Sequence, residues 1–146
     1  LQDRFSQYEN FELINADILK VDLNEIICEN KRTGKIKDVK VVANLPYYIT
    51  TPIIMKLLEE KLNIDSITVM VQKEVGDRFK AKPGSKDYNS LSVFLQYYYD
   101  IEKVCLVSKN CFIPVPKVDS IVVKFTKKDN LLYVKNFLNL LKVLLR

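Results

Sequence analysis

Apolar runs and helix-spaced stretches alternate along the chain, which predicts a sheet with helical crossovers rather than a bundle or a sandwich. "FELINADIL" (residues 11 to 19) reads as a short strand ending near Asn15, "DVKVVAN" (38 to 44) as a second and "SITVMVQ" (66 to 72) as a third. Each is a continuous apolar run, the pattern of a sheet covered on both faces. Between the last two lies "TTPIIMKLLEEKL", a helix for which Thr51 is the expected N-cap and Pro52 the first helical residue. Strand, turn and helix in that order predict a βαβ crossover.

After Gln72, "KEVGDRFKAKPGSKDYN" starts as a short helix and passes into a Lys-Pro-Gly-Ser loop. "SLSVFLQYYYDI" then returns to helical spacing, with Leu91, Phe94, Leu95 and Tyr98 on one face. "EKVCLVS" and "SIVVKFTK" follow as strands joined by "KNCFIPVPK", whose prolines at alternate positions forbid a central strand. These two form an antiparallel pair closing one edge of a mostly parallel sheet. A Leu-rich helix, "NLLYVKNFLNLLKVLLR", ends the chain at Arg146.

Composition narrows the chemistry. With 146 residues, 48% hydrophobic and 28% charged, the chain has the balance of a folded domain. No apolar run reaches the roughly 20 residues of a membrane span, and a cytoplasmic protein is expected. The first residue is Leu1 and not Met, so an internal piece of a longer protein is also expected. Cys28, Cys105 and Cys111 form no Cys-x-x-Cys pair and there is no histidine, so no metal site is expected. The lack of histidine also removes Ser-His and Cys-His catalysis and leaves carboxylates, amides, Tyr and Lys. The net charge of +5 is modest, but residues 73 to 86 concentrate Lys73, Arg78, Lys80, Lys82 and Lys86 against Glu74 and Asp77. That stretch suits either phosphate contact or a solvated loop.

The most specific stretch is "VVANLPYYITTP" (41 to 52). Ligands of open α/β sheets sit beyond the carboxyl ends of the strands, where Asn44-Leu45-Pro46-Tyr47 falls. Pro46 stiffens the turn so that the Leu45 carbonyl and the Asn44 side-chain oxygen can face one small space, beside the flat ring of Tyr47. Two acceptors and a ring suit the amino edge of adenine, with stacking contributing roughly 1 to 3 kcal/mol. Stacking uses the ring alone, so the Tyr47 hydroxyl is expected to be dispensable. A plain turn with Tyr47 in the core fits the same four residues.

Four blocks, "NADIL" (15 to 19), "VVANLPYYITTPIIMKLLE" (41 to 59), "VMVQKEVGDRFKAKPGSKDYNSLSV" (69 to 93) and "CFIPVPKVDSIVVKF" (111 to 125), resemble the ribosomal RNA adenine dimethyltransferases of the KsgA type. The resemblance implies a partial Rossmann-like methyltransferase fold and transfer of two methyl groups from S-adenosylmethionine to an adenine nitrogen of small-subunit ribosomal RNA. It implies that Asn44 and Leu45 hold that nitrogen, that Pro46 shapes the turn, and that Tyr47 and Phe112 flank the base. It makes Asp17, with Asn44, a cofactor-binding residue, and it favours RNA contact for Lys73, Arg78, Lys80, Lys82 and Lys86. The expected partners are small-subunit ribosomal RNA and its particle.

The family's glycine-rich cofactor turn and its ribose-binding acid have no counterpart among Gly34, Gly76 and Gly84 or their surroundings. Residues 1 to 128 are therefore expected to be an N-terminally incomplete catalytic domain, and 129 to 146 the start of a helical C-terminal domain. By the same resemblance, the strand at 11 to 16 would lack its neighbours. One of three outcomes is then expected: the missing segment is present in the protein or has been cleaved from it, self-association through unpaired strands supplies the pairing, or 11 to 16 shift to pair with 39 to 44. A non-catalytic RNA-binding assembly module and a large-subunit RNA or DNA adenine methyltransferase remain as alternatives.

Overall fold

Two strand segments of alternating burial organise the molecule. The computed structural model describes residues 1–32, 38–59, 62 and 64–128. In order these form a single helical turn α1 (Gln2–Phe5), α2 (Leu23–Arg32), β1 (Lys40–Asn44), a 3-10 turn (Tyr47–Ile49), α3 (Thr50–Glu59), β2 (Ser66–Gln72), α4 (Lys73–Phe79), α5 (Ser90–Tyr98), β3 (Tyr99–Val107), a second 3-10 turn (Lys109–Cys111) and β4 (Ser120–Lys127). The expected helix over 129 to 146 lies outside the described residues.

The sheet order is β1-β2-β4-β3. β1 and β2 pair in parallel, Lys40 opposite Ser66 through Asn44 opposite Met70. β4 runs antiparallel to both of its neighbours, with Ser120 opposite Gln72 of β2 and Val107 of β3. Three of the four strands thus share one direction, as expected of a mostly parallel sheet. The reversed strand is β4, one place in from the edge that β3 forms. A bulge between Lys103 and Cys105 interrupts the β3–β4 ladder.

Ile67, Val69 and Val71 of β2 and Ile121, Val123 and Phe125 of β4 are all but fully buried, and they join Ile53, Ile54 and Leu57 of α3 and Phe79, Phe94 and Leu95 in one core. Each such side chain contributes about 1.5 to 3 kcal/mol of burial. Both faces are not equally covered: β1 alternates exposed and half-buried residues, and Val42 is 82% exposed.

Four local expectations are corrected. Residues 11 to 16 form no strand and do not pair with 39 to 44. Their apolar side chains suit a sheet face, but a strand exists only with a partner ladder, and Phe11 instead packs on Phe5 with ring centroids 5.1 Å apart. Thr51 is not an N-cap: Pro46 starts a 3-10 turn that runs into the helix at Thr50, whose Oγ1 donates to the Pro46 carbonyl at 3.0 Å. Pro52 sits in the first turn of α3 as its third residue. β3 begins at Tyr99, three residues before the expected strand, because Tyr99 and Ile101 alternate inward opposite Lys127 and Phe125.

α4 approaches the sheet closely because residue 76 is glycine. A Cβ there would collide with Ile121 Cγ2 and press on Val123 Cγ2. Gly76→Ala is therefore expected to destabilise the fold by about 1 to 3 kcal/mol, checked by the shift in the chemical-denaturation midpoint.

Candidate functional site

Because β1 and β2 are parallel and β4 is antiparallel to β2, the ends of β1 and β2 and the start of β4 share one rim of the sheet. The turn after β1 and the loop before β4 therefore face each other. Asn44, Leu45, Pro46 and Tyr47 from the turn and Phe112, Ile113, Pro114 and Pro116 from the loop enclose an open cleft of about 320 Å³. All five residues expected at the reacting base are in its lining.

Leu45 fixes the turn. Its N–H extends the ladder to the Met70 carbonyl at 3.1 Å and its side chain is buried, which leaves Asn44 exposed at the strand's end. Pro46 is extended, with φ −60° and ψ 133°, and turns the chain into the 3-10 segment that carries Tyr47. Tyr47 is half-buried, and its hydroxyl lies 2.8 Å from the Ser120 hydroxyl. The hydroxyl expected to be idle is engaged.

The opposite wall is closed by short-range bonds. The Ser108 hydroxyl accepts from the Asn110 N–H at 3.3 Å, and Asp119 Oδ1 accepts from the Lys109 N–H at 2.9 Å, which pins both ends of the loop together. The Ile113–Pro114 peptide bond is cis. Ile113, Pro114 and Pro116 were not singled out by sequence; the alternate prolines of "FIPVPK" were the available signal, since they stiffen the loop that lines the cleft.

Asp17 does not line this cleft. Its Oδ1 accepts from the Leu19 N–H at 3.0 Å, and its side chain is 48% exposed. Lys56 donates from Nζ to the Leu19 and Val21 carbonyls at 3.1 and 2.7 Å, which ties that turn to α3. Residues 20 to 37 yielded no element by sequence, yet Asp22 Oδ1 caps α2 by accepting from the Asn24 and Glu25 N–H groups at 2.9 and 3.1 Å. The signal was "DLNE", an Asp followed three residues later by Glu.

The basic stretch divides in two. Lys73 pairs with Asp77 at 2.8 Å and Arg78 pairs with Glu74, both along α4. Lys80, Lys82 and Lys86 are exposed on the following loop with no ion pair among the described residues. That loop is anchored at its base, where Gln96 Nε2 donates to the Phe79 and Ala81 carbonyls at 3.0 and 2.9 Å. At its tip, Gly84 takes φ +84°, which disfavours other residues.

Comparison with known proteins bears on this geometry. The model of the family "Ribosomal RNA adenine dimethylase" matches residues 1–146. The chain is 53% identical over 129 residues to the Ribosomal RNA small subunit methyltransferase A of Clostridium acetobutylicum, covering 88% of this chain and 45% of that protein. It is 56% identical over 141 residues to the protein of the same name from Lachnoclostridium phytofermentans, covering 90% and 48%. Among solved structures, a dimethyladenosine transferase from Plasmodium falciparum superposes with TM-score 0.74 at 30% identity, covering 88% of this chain and 43% of that one. The 23S rRNA methyltransferase ErmE is similar in fold, with TM-score 0.68 at 24% identity, covering 98% and 53%. The chain spans about half the length of the curated relatives it matches.

Asp77 bonds Lys103 of β3 at 2.5 Å as well as Lys73. Lys103 first, then Lys73, holds its carboxyl below the ordinary 3.8. A depressed carboxylate stabilises the fold above its unfolded pKa and loses that contribution as pH falls through its folded value. Asp77→Asn is thus expected to cost about 1 kcal/mol or less at neutral pH, with the gap to the unsubstituted chain closing below pH 3.8. Thermal melts across that range check it.

Proposed function

The chain belongs to the ribosomal RNA adenine dimethylase family, and from that premise we propose that the protein carrying it dimethylates the exocyclic nitrogen of adenines in small-subunit ribosomal RNA. The observation that carries the reading is the meeting of Asn44, Leu45, Pro46 and Tyr47 with Phe112 around one cleft, although the two segments lie far apart in sequence. The substrate would be the RNA within its ribosomal particle, in the cytoplasm. Among the described residues no helix is long and apolar enough to cross a membrane.

An adenine amino group is a poor nucleophile because its lone pair is delocalised into the ring. The Asn44 side-chain oxygen and the Leu45 carbonyl supply two acceptors for its two hydrogens. Holding both hydrogens out of the ring plane localises the lone pair on nitrogen, a gain in orientation and electrostatics. Tyr47 and Phe112 offer apolar faces that retain the base. After the C–N bond forms the nitrogen is cationic and acidic, so its proton departs without a strong base. This matches a chain with no histidine.

S-adenosylmethionine supplies the electrophilic methyl group when bound. The residues of this chain offered to hold it are Asp17 and Asn44. Asp17 suits an adenine amino group, since its carboxylate is half-exposed, with Oδ1 accepting one backbone hydrogen bond and Oδ2 only a long 4.0 Å ion pair with Lys20. Phosphate contacts would fall to Lys80, Lys82 and Lys86, which have no ion pair to give up among the described residues, ahead of Lys73 and Arg78, which do.

In a full-length protein carrying this chain, Asn44→Ala is expected to lower kcat for methyl transfer about a hundredfold while RNA affinity stays within about twofold, because most of that affinity comes from phosphate contacts. Unchanged turnover in this variant would contradict the proposal. Replacing Lys80, Lys82 and Lys86 by Gln should reduce the slope of log affinity against log salt by about 2 to 3. Replacing Lys73 and Arg78 should change it less. Filter-binding titrations over a range of salt concentrations measure both.

A further inference from the structure

The contact between Tyr47 and Ser120 joins the two walls of the cleft. Ser120 is 1% exposed, and its hydroxyl has no other hydrogen-bond partner among the described residues. It opens β4 between Gln72, the last residue of β2, and Val107, the last of β3, so ladders on both sides fix its backbone. Its neighbour Asp119 accepts the Lys73 N–H through its carbonyl at 3.0 Å and the Lys109 N–H through Oδ1 at 2.9 Å. One dipeptide therefore anchors the aromatic turn after β1, the start of α4 and the loop that carries Phe112.

Stacking alone does not explain this arrangement. A phenylalanine would present the same face to a base, yet here a buried hydroxyl is supplied to meet the phenol at 2.8 Å. A ring held only at Cβ can swing about its first side-chain torsion, whereas a ring tied at Cβ and at its hydroxyl keeps the direction of its long axis. Small errors in placing a reacting group cost large factors in rate.

We propose that Ser120 is a positioning residue for methyl transfer: through the Tyr47 hydroxyl it fixes the axis and position of the ring against which the target adenine stacks, at a set distance from Phe112 across the cleft. The inference rests on reading that cleft as an adenine pocket. It makes the serine of "PKVDS" part of the site although it touches no substrate, and it makes the phenol of Tyr47 functional.

The test is a double-mutant cycle of Ser120→Ala and Tyr47→Phe in a full-length protein carrying this chain, with kcat and the KM for small-subunit particles measured well below the melting temperature. Each single variant is expected to lose about tenfold in kcat, with KM within about twofold because phosphate contacts set it. The double variant should be no slower than either single variant. Unchanged kcat in Tyr47→Phe, or single losses that multiply to about a hundredfold, would overturn the role of Ser120. Tyr47→Phe leaves β4 untouched and so stays informative if Ser120→Ala fails to fold. The two claims separate cleanly: if the unsubstituted protein places no methyl group on adenine N6, the reading of the cleft fails, whatever the cycle gives.

Discussion

The direction of β4 is the constraint on which the site depends. Paired antiparallel to β2 over Ser66–Gln72, it must begin at the rim where β1 and β2 end. The loop from β3 is thereby returned to that rim and lays Phe112 opposite Asn44 and Tyr47. Had β4 run parallel to β2, the same residues would lie at opposite ends of the sheet. The energy that enforces the direction is ordinary: Val69, Val71, Ile121 and Val123 bury one face of the central pair against Gly76 and its helix. Core packing and site assembly are two consequences of one register.

The proposed chemistry would use position in place of acid or base strength. Two oxygens, one from a strand-end amide and one from a turn carbonyl, require only that the backbone between them be rigid, which Leu45 secures from inside the core and Pro46 from outside. Charge is handled away from the cleft. Along α4 the basic residues are neutralised by Asp77 and Glu74, and the lysines of the adjoining loop are left to solvent or to a polyanion.

Much of this was legible because local and long-range preferences agree. β2 and β4 fall on the bounds that their β-branched runs suggest, since both strands have partners along their whole length. Asn44 to Tyr47 were legible because "NLPY" is stiff enough to hold its shape locally, whereas Phe112 was indicated only by the family resemblance. What could not be read depends on partners distant in sequence. "FELINA" has the pattern of a strand and pairs with no strand among the described residues. Thr51 looks like a cap until Pro46 starts the turn earlier. Ser120 is an unremarkable strand residue until folding brings it 73 positions back to Tyr47.

The central claim is that this cleft presents the amino group of adenine for double methylation. The most direct measurement is transfer of labelled methyl groups from S-adenosylmethionine by a full-length protein carrying this chain, offered small-subunit particles, free ribosomal RNA and DNA, with the products digested to nucleosides and resolved by mass. The account predicts N6,N6-dimethyladenosine in small-subunit RNA and none in DNA. Label in DNA, on another base or on another atom of adenine, or no label at all, would contradict it.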